Sequence, residues 1–162
     1  MRDQDFERLY SEHAQGLFGF LAYRIGDRAL AEDLLADTFE RALRARLRFD
    51  RRRGSEKAWL YSIALNLVRD DRRRRQAEGR ALERVGALEG GRLDPALEAV
   101  EQRSTVAGAM GLLSEEEREA LALRFGGDLT VPEIAKLTRE QLTTVEGRVY
   151  RGLRKLRKEL SA

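Results

Sequence analysis

Apolar side chains recur at intervals of three and four residues along most of the 162-residue chain. This spacing lines one face of an α-helix. Phe6, Leu9, Tyr10, His13, Leu17, Phe20 and Leu21 predict a helix over about residues 5–24, broken by Gly26 and Asp27. Leu30, Leu34, Leu35, Thr38 and Ala42 predict a second over about residues 28–47. A loop follows at about residues 48–57, with Gly54 and Ser55 at its turn. Trp59, Ile63, Ala64 and Leu67 mark the inward stripe of a third helix, about residues 58–75. The periodicity then fades over residues 76–94, which read as a linker. Asp94 and Pro95 suit the N-cap and first turn of a helix reaching about Leu112. Ser114 with Glu117 is a capping box, and that helix ends at Gly126 and Gly127. Thr130 with Glu133 is another, with Pro132 in the first turn. The last helix starts at Thr143 or Thr144 and runs to about Leu160, with Val145, Val149, Leu153 and Leu156 inward. The fold class is all-α: two small helical domains, residues 1–75 and 95–162, joined by a flexible linker at 76–94. The C-terminal domain contains a helix-turn-helix.

Composition narrows the chemistry. There is no cysteine, so disulfides, thiolate metal sites and thiol nucleophiles are excluded, and a single histidine, His13, leaves little for a histidine-based metal site or catalytic triad. No cofactor, metal or catalytic residue is expected. The N-terminus carries acids and lacks the apolar segment of a signal peptide. No apolar run approaches a membrane span. The expected location is the cytoplasm, without membrane insertion.

The net charge of +3 hides alternation. Residues 1–40 carry −5, residues 41–75 carry +9, residues 76–142 carry −5 and residues 143–162 carry +4. Two separated basic blocks suit contact with an extended polyanion at two places. Solvated helix faces are the plainer explanation of either block alone. The third helix places Asn66, Arg69, Arg72 and Arg73 opposite its apolar stripe, with Arg72 to Arg75 unbroken. Arginine forks suit phosphates, and an amide can read a base edge. Tyr61 lies in the same segment and could stack on an unpaired base, whereas Trp59 falls on the apolar stripe. Glu32, Asp33, Asp37 and Glu40 give the second helix an acidic face, either solvated or docked on a basic protein. In a helix-turn-helix the first residues of the second helix meet bases. Those are Thr143, Thr144, Gly147 and Arg148, with Arg151 on phosphate.

Taken in order, four stretches resemble the extracytoplasmic-function (ECF) group of bacterial RNA polymerase sigma factors. "GDRALAEDLLADTFERAL" (residues 26–43) looks like the family's second conserved region, and "KAWLYSIALNLVRDDRRRR" (57–75) like its promoter-melting segment. "LLSEEEREALALRFGGDLTVPEIAKL" (112–137) and "TTVEGRVYRGLRKL" (143–156) look like the promoter-reading C-terminal domain. The resemblance implies that Glu32, Asp33, Asp37 and Glu40 dock on the clamp of the polymerase largest subunit, with the C-terminal domain at the flap of the second-largest subunit. It implies that the loop with Arg51, Arg52, Arg53 and Ser55 receives a base flipped from the minus-ten element. Tyr61, Asn66 and Arg69 would contact the same strand, and the run from Arg72 and Arg73 to Arg75 its upstream backbone. Thr143, Thr144, Glu146, Gly147, Arg148 and Arg151 would read the minus-thirty-five element. Family members are commonly held inactive by an anti-sigma protein, so one is an expected partner beside core polymerase and promoter DNA.

Three positions depart from the family pattern. Arg139 stands where a glycine is usual, Glu140 where a small apolar residue is, and Glu146 where a basic one is. They predict an altered turn and a changed or weaker preference. Glu146 can accept a hydrogen bond from a cytosine amino group or repel phosphate. A second reading is therefore a sigma-like module that binds polymerase or an anti-sigma protein but no longer reads promoters. A free-standing repressor is a third, although no extra apolar stripe offers a dimer interface.

Overall fold

In a computed structural model the structure describes residues 1–86 and 106–161. Among these residues there are seven α-helices and no strand. The N-terminal unit consists of α1 (Asp3–Ile25), α2 (Arg28–Ala45) and α3 (Glu56–Gly86). The C-terminal unit consists of α4 (Val106–Met110), α5 (Glu115–Leu121), α6 (Val131–Thr138) and α7 (Leu142–Leu160).

The apolar stripes become the core of the first unit. Leu9, Leu17, Phe20 and Leu21 of α1 are fully buried. They meet Ala31, Leu34, Phe39 and Ala42 of α2 and Leu60, Ala64, Leu65 and Val68 of α3. Thr38 sits in this core because its hydroxyl donates to the Leu34 carbonyl at 2.7 Å. Gly26 ends α1 in the left-handed conformation (φ 76°), and Asp27 caps α2 by accepting from the Leu30 N–H. Trp59 is partly buried against Phe49, with ring centroids 5.1 Å apart.

Helix α3 continues to Gly86, eleven residues beyond the end predicted at Arg75. The apolar signal fades there, but helical support does not. Asp71 is buried and accepts from Arg74 and Arg75 at i+3 and i+4, which ties the Arg run to the helix. Residues 76–86, expected in the linker, are thus helical. The rest of that expected linker, residues 87–94, lies outside the described residues. So does most of the helix predicted to start at Pro95, of which Val106–Met110 is seen.

Both expected capping boxes form. Ser114 accepts from the Glu117 N–H while Glu117 accepts from the Ser114 N–H, and Thr130 and Glu133 do the same. After Leu121 the chain makes one π-helical turn, Ala122–Gly126, before Gly127. The turn between α6 and α7 keeps a left-handed residue, although Arg139 occupies it (φ 57°, ψ 42°). The Glu140 N–H donates to the Ala135 carbonyl at 2.9 Å, which closes the helix end. The departures in this turn therefore leave a left-handed helix end, at a conformational cost of about 1–2 kcal/mol. Helix α7 starts at Leu142, slightly before the predicted threonines. Its inward stripe runs through Val145, Val149, Gly152 and Leu156, and Leu153 is 41% exposed instead. Gly152 lets α7 close on α5, since a Cβ there would meet Leu121 Cδ1 at 2.8 Å.

The two units pack on one another through glycine. Gly16 and Gly19 lie in the middle of α1, where glycine costs about 0.5–1 kcal/mol relative to alanine. The structure supplies the reason. A Cβ on Gly19 would lie 2.4 Å from the Gly126 carbonyl oxygen, and one on Gly126 would lie 2.6 Å from the Gly19 carbonyl oxygen. The two backbones touch without side chains between them.

Arg139→Gly should raise stability by about 1 kcal/mol, because glycine takes the left-handed conformation without a Cβ clash. Thermal unfolding would show this as a rise of roughly 2–4 °C; an unchanged or lower midpoint would contradict it. A second expectation concerns Glu117, which is buried. Burial would push its carboxyl up, but hydrogen bonds from Lys155 and Ser114 hold it below its ordinary 4.5. The folded state then binds this proton less readily than the unfolded chain. Its stabilisation is present above about pH 4.5 and is lost as pH falls through the depressed folded value. Glu117→Gln should lower stability at neutral pH and flatten that acid loss, as read by denaturant titration across pH.

Candidate nucleic-acid interface

The acidic face of α2 forms as expected. Glu32, Asp33, Asp37 and Glu40 are all exposed and lie on the side away from Leu34 and Thr38. Glu32 pairs with Arg28 at 3.4 Å and Glu40 with Arg44 at 2.6 Å, both within the helix and well solvated. Such pairs contribute little and can be exchanged for other cations.

The loop before α3 carries Arg51, Arg52 and Arg53 in an exposed single turn. Arg51 reaches Glu56 at 3.3 Å, and Asp50 caps the turn by accepting from the Arg52 N–H. Ser55, expected to touch DNA, accepts from the Ala58 N–H at 3.0 Å and so caps α3. Its side chain has a structural task that the sequence reading did not assign.

The proposed strand-facing residues of α3 divide into two groups. Asn66 and Arg73 are exposed. Arg73 pairs with Asp70 of its own helix. Tyr61, Arg69 and Arg72 instead face the C-terminal unit. Tyr61 is 1% exposed, its ring lies against Phe20, and its hydroxyl donates to the Gly127 carbonyl at 3.1 Å. Burial raises its phenol far above the ordinary value. A base cannot stack on Tyr61 in this arrangement, contrary to expectation, because the second unit covers it. Arg69 donates through Nε and Nη2 to the two carboxylate oxygens of Glu119, at 3.2 and 2.8 Å. That hydrogen bond raises its already high pKa. Arg72 Nε lies 3.3 Å from Glu115 Oε2, and the buried Arg24 reaches the same oxygen at 2.8 Å. Lys57 approaches Glu133 at 3.7 Å.

On the C-terminal unit, Thr143, Thr144 and Glu146 are exposed at the start of α7. Gly147 lies beside Arg151, whose guanidinium would be 2.9 Å from an added Cβ. Arg148, expected at a base, pairs with Glu140 across the turn. Arg151 lies 3.8 Å from Glu117, and Lys155 donates to Glu117 at 2.7 Å. The first turn of α7 thus presents two hydroxyls and a carboxylate, with its nearest arginine engaged.

Sequence reasoning missed Gly19, Gly126, Glu115 and Glu119. A signal existed. Two glycines three residues apart inside a strong helical pattern needed a close neighbour, and "GG" followed an unusually acidic helix.

Among the described residues no helix is long and apolar enough to cross a membrane, and no group of three or more His, Asp or Glu side chains could hold a metal ion.

Comparison with known proteins matches both units in order. Residues 9–78 match the family described as Sigma-70 region 2, and residues 104–156 match Sigma-70, region 4. The ECF RNA polymerase sigma factor BldN of Streptomyces coelicolor is 31% identical over 155 residues, covering 93% of this chain and 58% of that protein. The chain thus spans under two thirds of the length of BldN. The ECF RNA polymerase sigma factor SigX of Bacillus subtilis is 29% identical over 167 residues, covering 98% of this chain and 84% of that protein. The sigma factor RpoE of Bartonella quintana, solved in complex with the anti-sigma factor NepR, shares the fold with a TM-score of 0.76 at 23% identity, over 98% of each chain. The two sigma-70 regions, which in family order together match most of the chain, show that it belongs to the sigma-70 family of RNA polymerase sigma factors, within which the relatives it resembles are ECF sigma factors.

Proposed function

We propose that this protein is a sigma factor that binds core RNA polymerase and directs promoter recognition and melting. The observation that carries this reading is the ordered pair of sigma regions on two units with different surfaces, an open acidic helix on one and a helix-turn-helix on the other. The roles follow from chemistry. Glu32, Asp33, Asp37 and Glu40 would meet basic side chains of the largest-subunit clamp, and the C-terminal unit would rest on the flap of the second-largest subunit. Unstacking a base costs a few kcal/mol. A pocket at Arg51, Arg52 and Arg53 would offset that cost, and Asn66 would hydrogen-bond a base edge. Arg69, Arg72 and Arg73 would hold the separated strand by its phosphates. At the second element Thr143, Thr144 and Glu146 would face bases. Glu146 suits a cytosine amino group.

The protein performs no chemistry of its own in this reading. The polymerase forms the phosphodiester bonds, and the factor supplies binding energy and position. It would act in the cytoplasm, where polymerase and promoter are. An anti-sigma protein is a proposed partner, supported by the fold shared with a sigma factor solved with NepR.

One observation favours the interaction-module reading. Arg148 is held by Glu140, and an acid stands at Glu146 where the family pattern has a base. Run-off transcription separates the two. Purified core polymerase with this protein should initiate at promoters sharing a two-part motif. Asn66→Ala should reduce that initiation by about 5- to 150-fold, the worth of a specific base contact of about 1–3 kcal/mol. Arg148→Ala should weaken or shift the motif more modestly. Binding to core polymerase without transcripts from any promoter would replace this reading with the interaction module.

A further inference from the structure

We propose that a cleft between the C-terminal end of α1, the middle of α3 and the start of α5 is a binding site for a phosphate dianion, free or carried by a small organic molecule. The site goes beyond the sigma assignment and does not depend on it. The cleft has a volume of about 290 Å³. Its charged walls are Arg24, Arg72, Arg75 and Arg118 on one side of the balance and Asp71 and Glu115 on the other. Both units contribute. Arg118 and Glu115 come from α5, and the other four from α1 and α3.

The carboxylates are too few for the guanidiniums. One of them, Glu115, faces three cations. Arg24 Nη2 lies 2.8 Å from its Oε2, Arg72 Nε 3.3 Å from the same oxygen, and Arg118 Nη1 3.8 Å from its Oε1. Asp71 is divided between Arg74 and Arg75. The charged side chains that line the cleft thus carry two positive charges in excess. Including Glu119, which lies 4.0 Å from Arg24 and holds Arg69, adds one charge of each sign and leaves that excess. Burial lowers the pKa of Arg118, and Arg24 and Arg72 lower it further against the opposing effect of Glu115. Hydrogen bonding is incomplete as well. Arg24 is 4% exposed, yet its Nε has no hydrogen-bond partner among the described residues, and the Nε of Arg72 has none either. The shared Glu115 oxygen lies near both cations and is aligned with neither. A buried cation with an unmade hydrogen bond is costly, and an added acceptor relieves it.

A phosphate monoester carries nearly two negative charges at neutral pH and three acceptor oxygens. It matches the charge excess and offers acceptors to forked donors. An internal phosphate of a nucleic-acid strand fits less well. It carries a single charge, and the strand on both sides would have to follow it toward Arg24, which is buried. A neighbouring cleft of about 190 Å³ shares Arg24, Ile25 and Arg118 and adds Tyr23 and Met110. The body of a small phosphate ester therefore has a place beside its anion.

Isothermal titration calorimetry of the full chain at fixed ionic strength tests the site. The probes are inorganic phosphate, phenyl phosphate and a short oligothymidylate without terminal phosphates. Inorganic phosphate should bind one to one. Equal affinity for phenyl phosphate identifies free phosphate as the ligand, and tighter binding of phenyl phosphate identifies a small ester. Arg75 is exposed, so Arg75→Gln leaves the core intact. It should weaken binding by about 10- to 150-fold, the worth of one hydrogen bond to a charged group. Glu115→Gln should tighten binding, because the excess rises to three charges; a purely structural role for Glu115 predicts the reverse. Arg154→Gln removes an exposed arginine that does not line the cleft and should change nothing. Circular dichroism checks that each variant is folded. Any of three results would overturn the proposal: no binding of either phosphate at millimolar concentration, an Arg75→Gln effect no larger than that of Arg154→Gln, or an oligothymidylate that binds as tightly as phenyl phosphate. The last would give the cleft to a strand. Run-off transcription reports separately on the sigma assignment, so either reading can fail alone.

Discussion

The approach of two backbones at Gly19 and Gly126 sets the distance at which all other contacts between the units are made. With side chains at either position the units would stand farther apart. The Tyr61 hydroxyl would then lose the Gly127 carbonyl, and Arg69 would lose two-point contact with Glu119. A small, directionless contact between two glycines thus decides the geometry of several directional ones. The ion pairs alone would not, since arginine and glutamate reach each other over many separations and are screened where solvent enters.

This constraint also sorts the surfaces. The acidic residues of α2 remain open on the far side of the N-terminal unit, and the first turn of α7 remains open on the C-terminal one. What the seam covers is the middle of α3. The faces proposed for a polymerase and a duplex are open, while of the face proposed for a separated strand the seam covers Tyr61 and engages Arg69 and Arg72, and Asn66 and Arg73 stay exposed.

Most of the fold was legible in the sequence because each helix carried a periodic stripe and a chemical start or stop. The capping boxes at Ser114 and Thr130 and the break at Gly26 were read directly. The true end of α3 was not, because residues 76–86 are helical without an apolar stripe, and periodicity reports burial rather than helix formation. Leu153 was assigned inward because an apolar side chain outranks glycine in such a pattern, yet Gly152 is what lets α7 approach Leu121. The candidate site was legible in its residue types but not in their partners. That Arg69 belongs with Glu119, fifty residues away, or Arg148 with Glu140, depends on how elements meet. Sequence spacing within one helix carries no such information.

The ion pairs have a consequence for how the protein meets a polyanion. A cation gains entropy on binding DNA by freeing ions condensed around the duplex. Arg69, Arg72, Arg148 and Lys155 already face carboxylates, so each exchanges one anion for another. The two basic blocks therefore overstate the electrostatic pull of the folded molecule. At these four positions the protein would meet a polyanion with cations already paired, and little free energy would come there from released counterions.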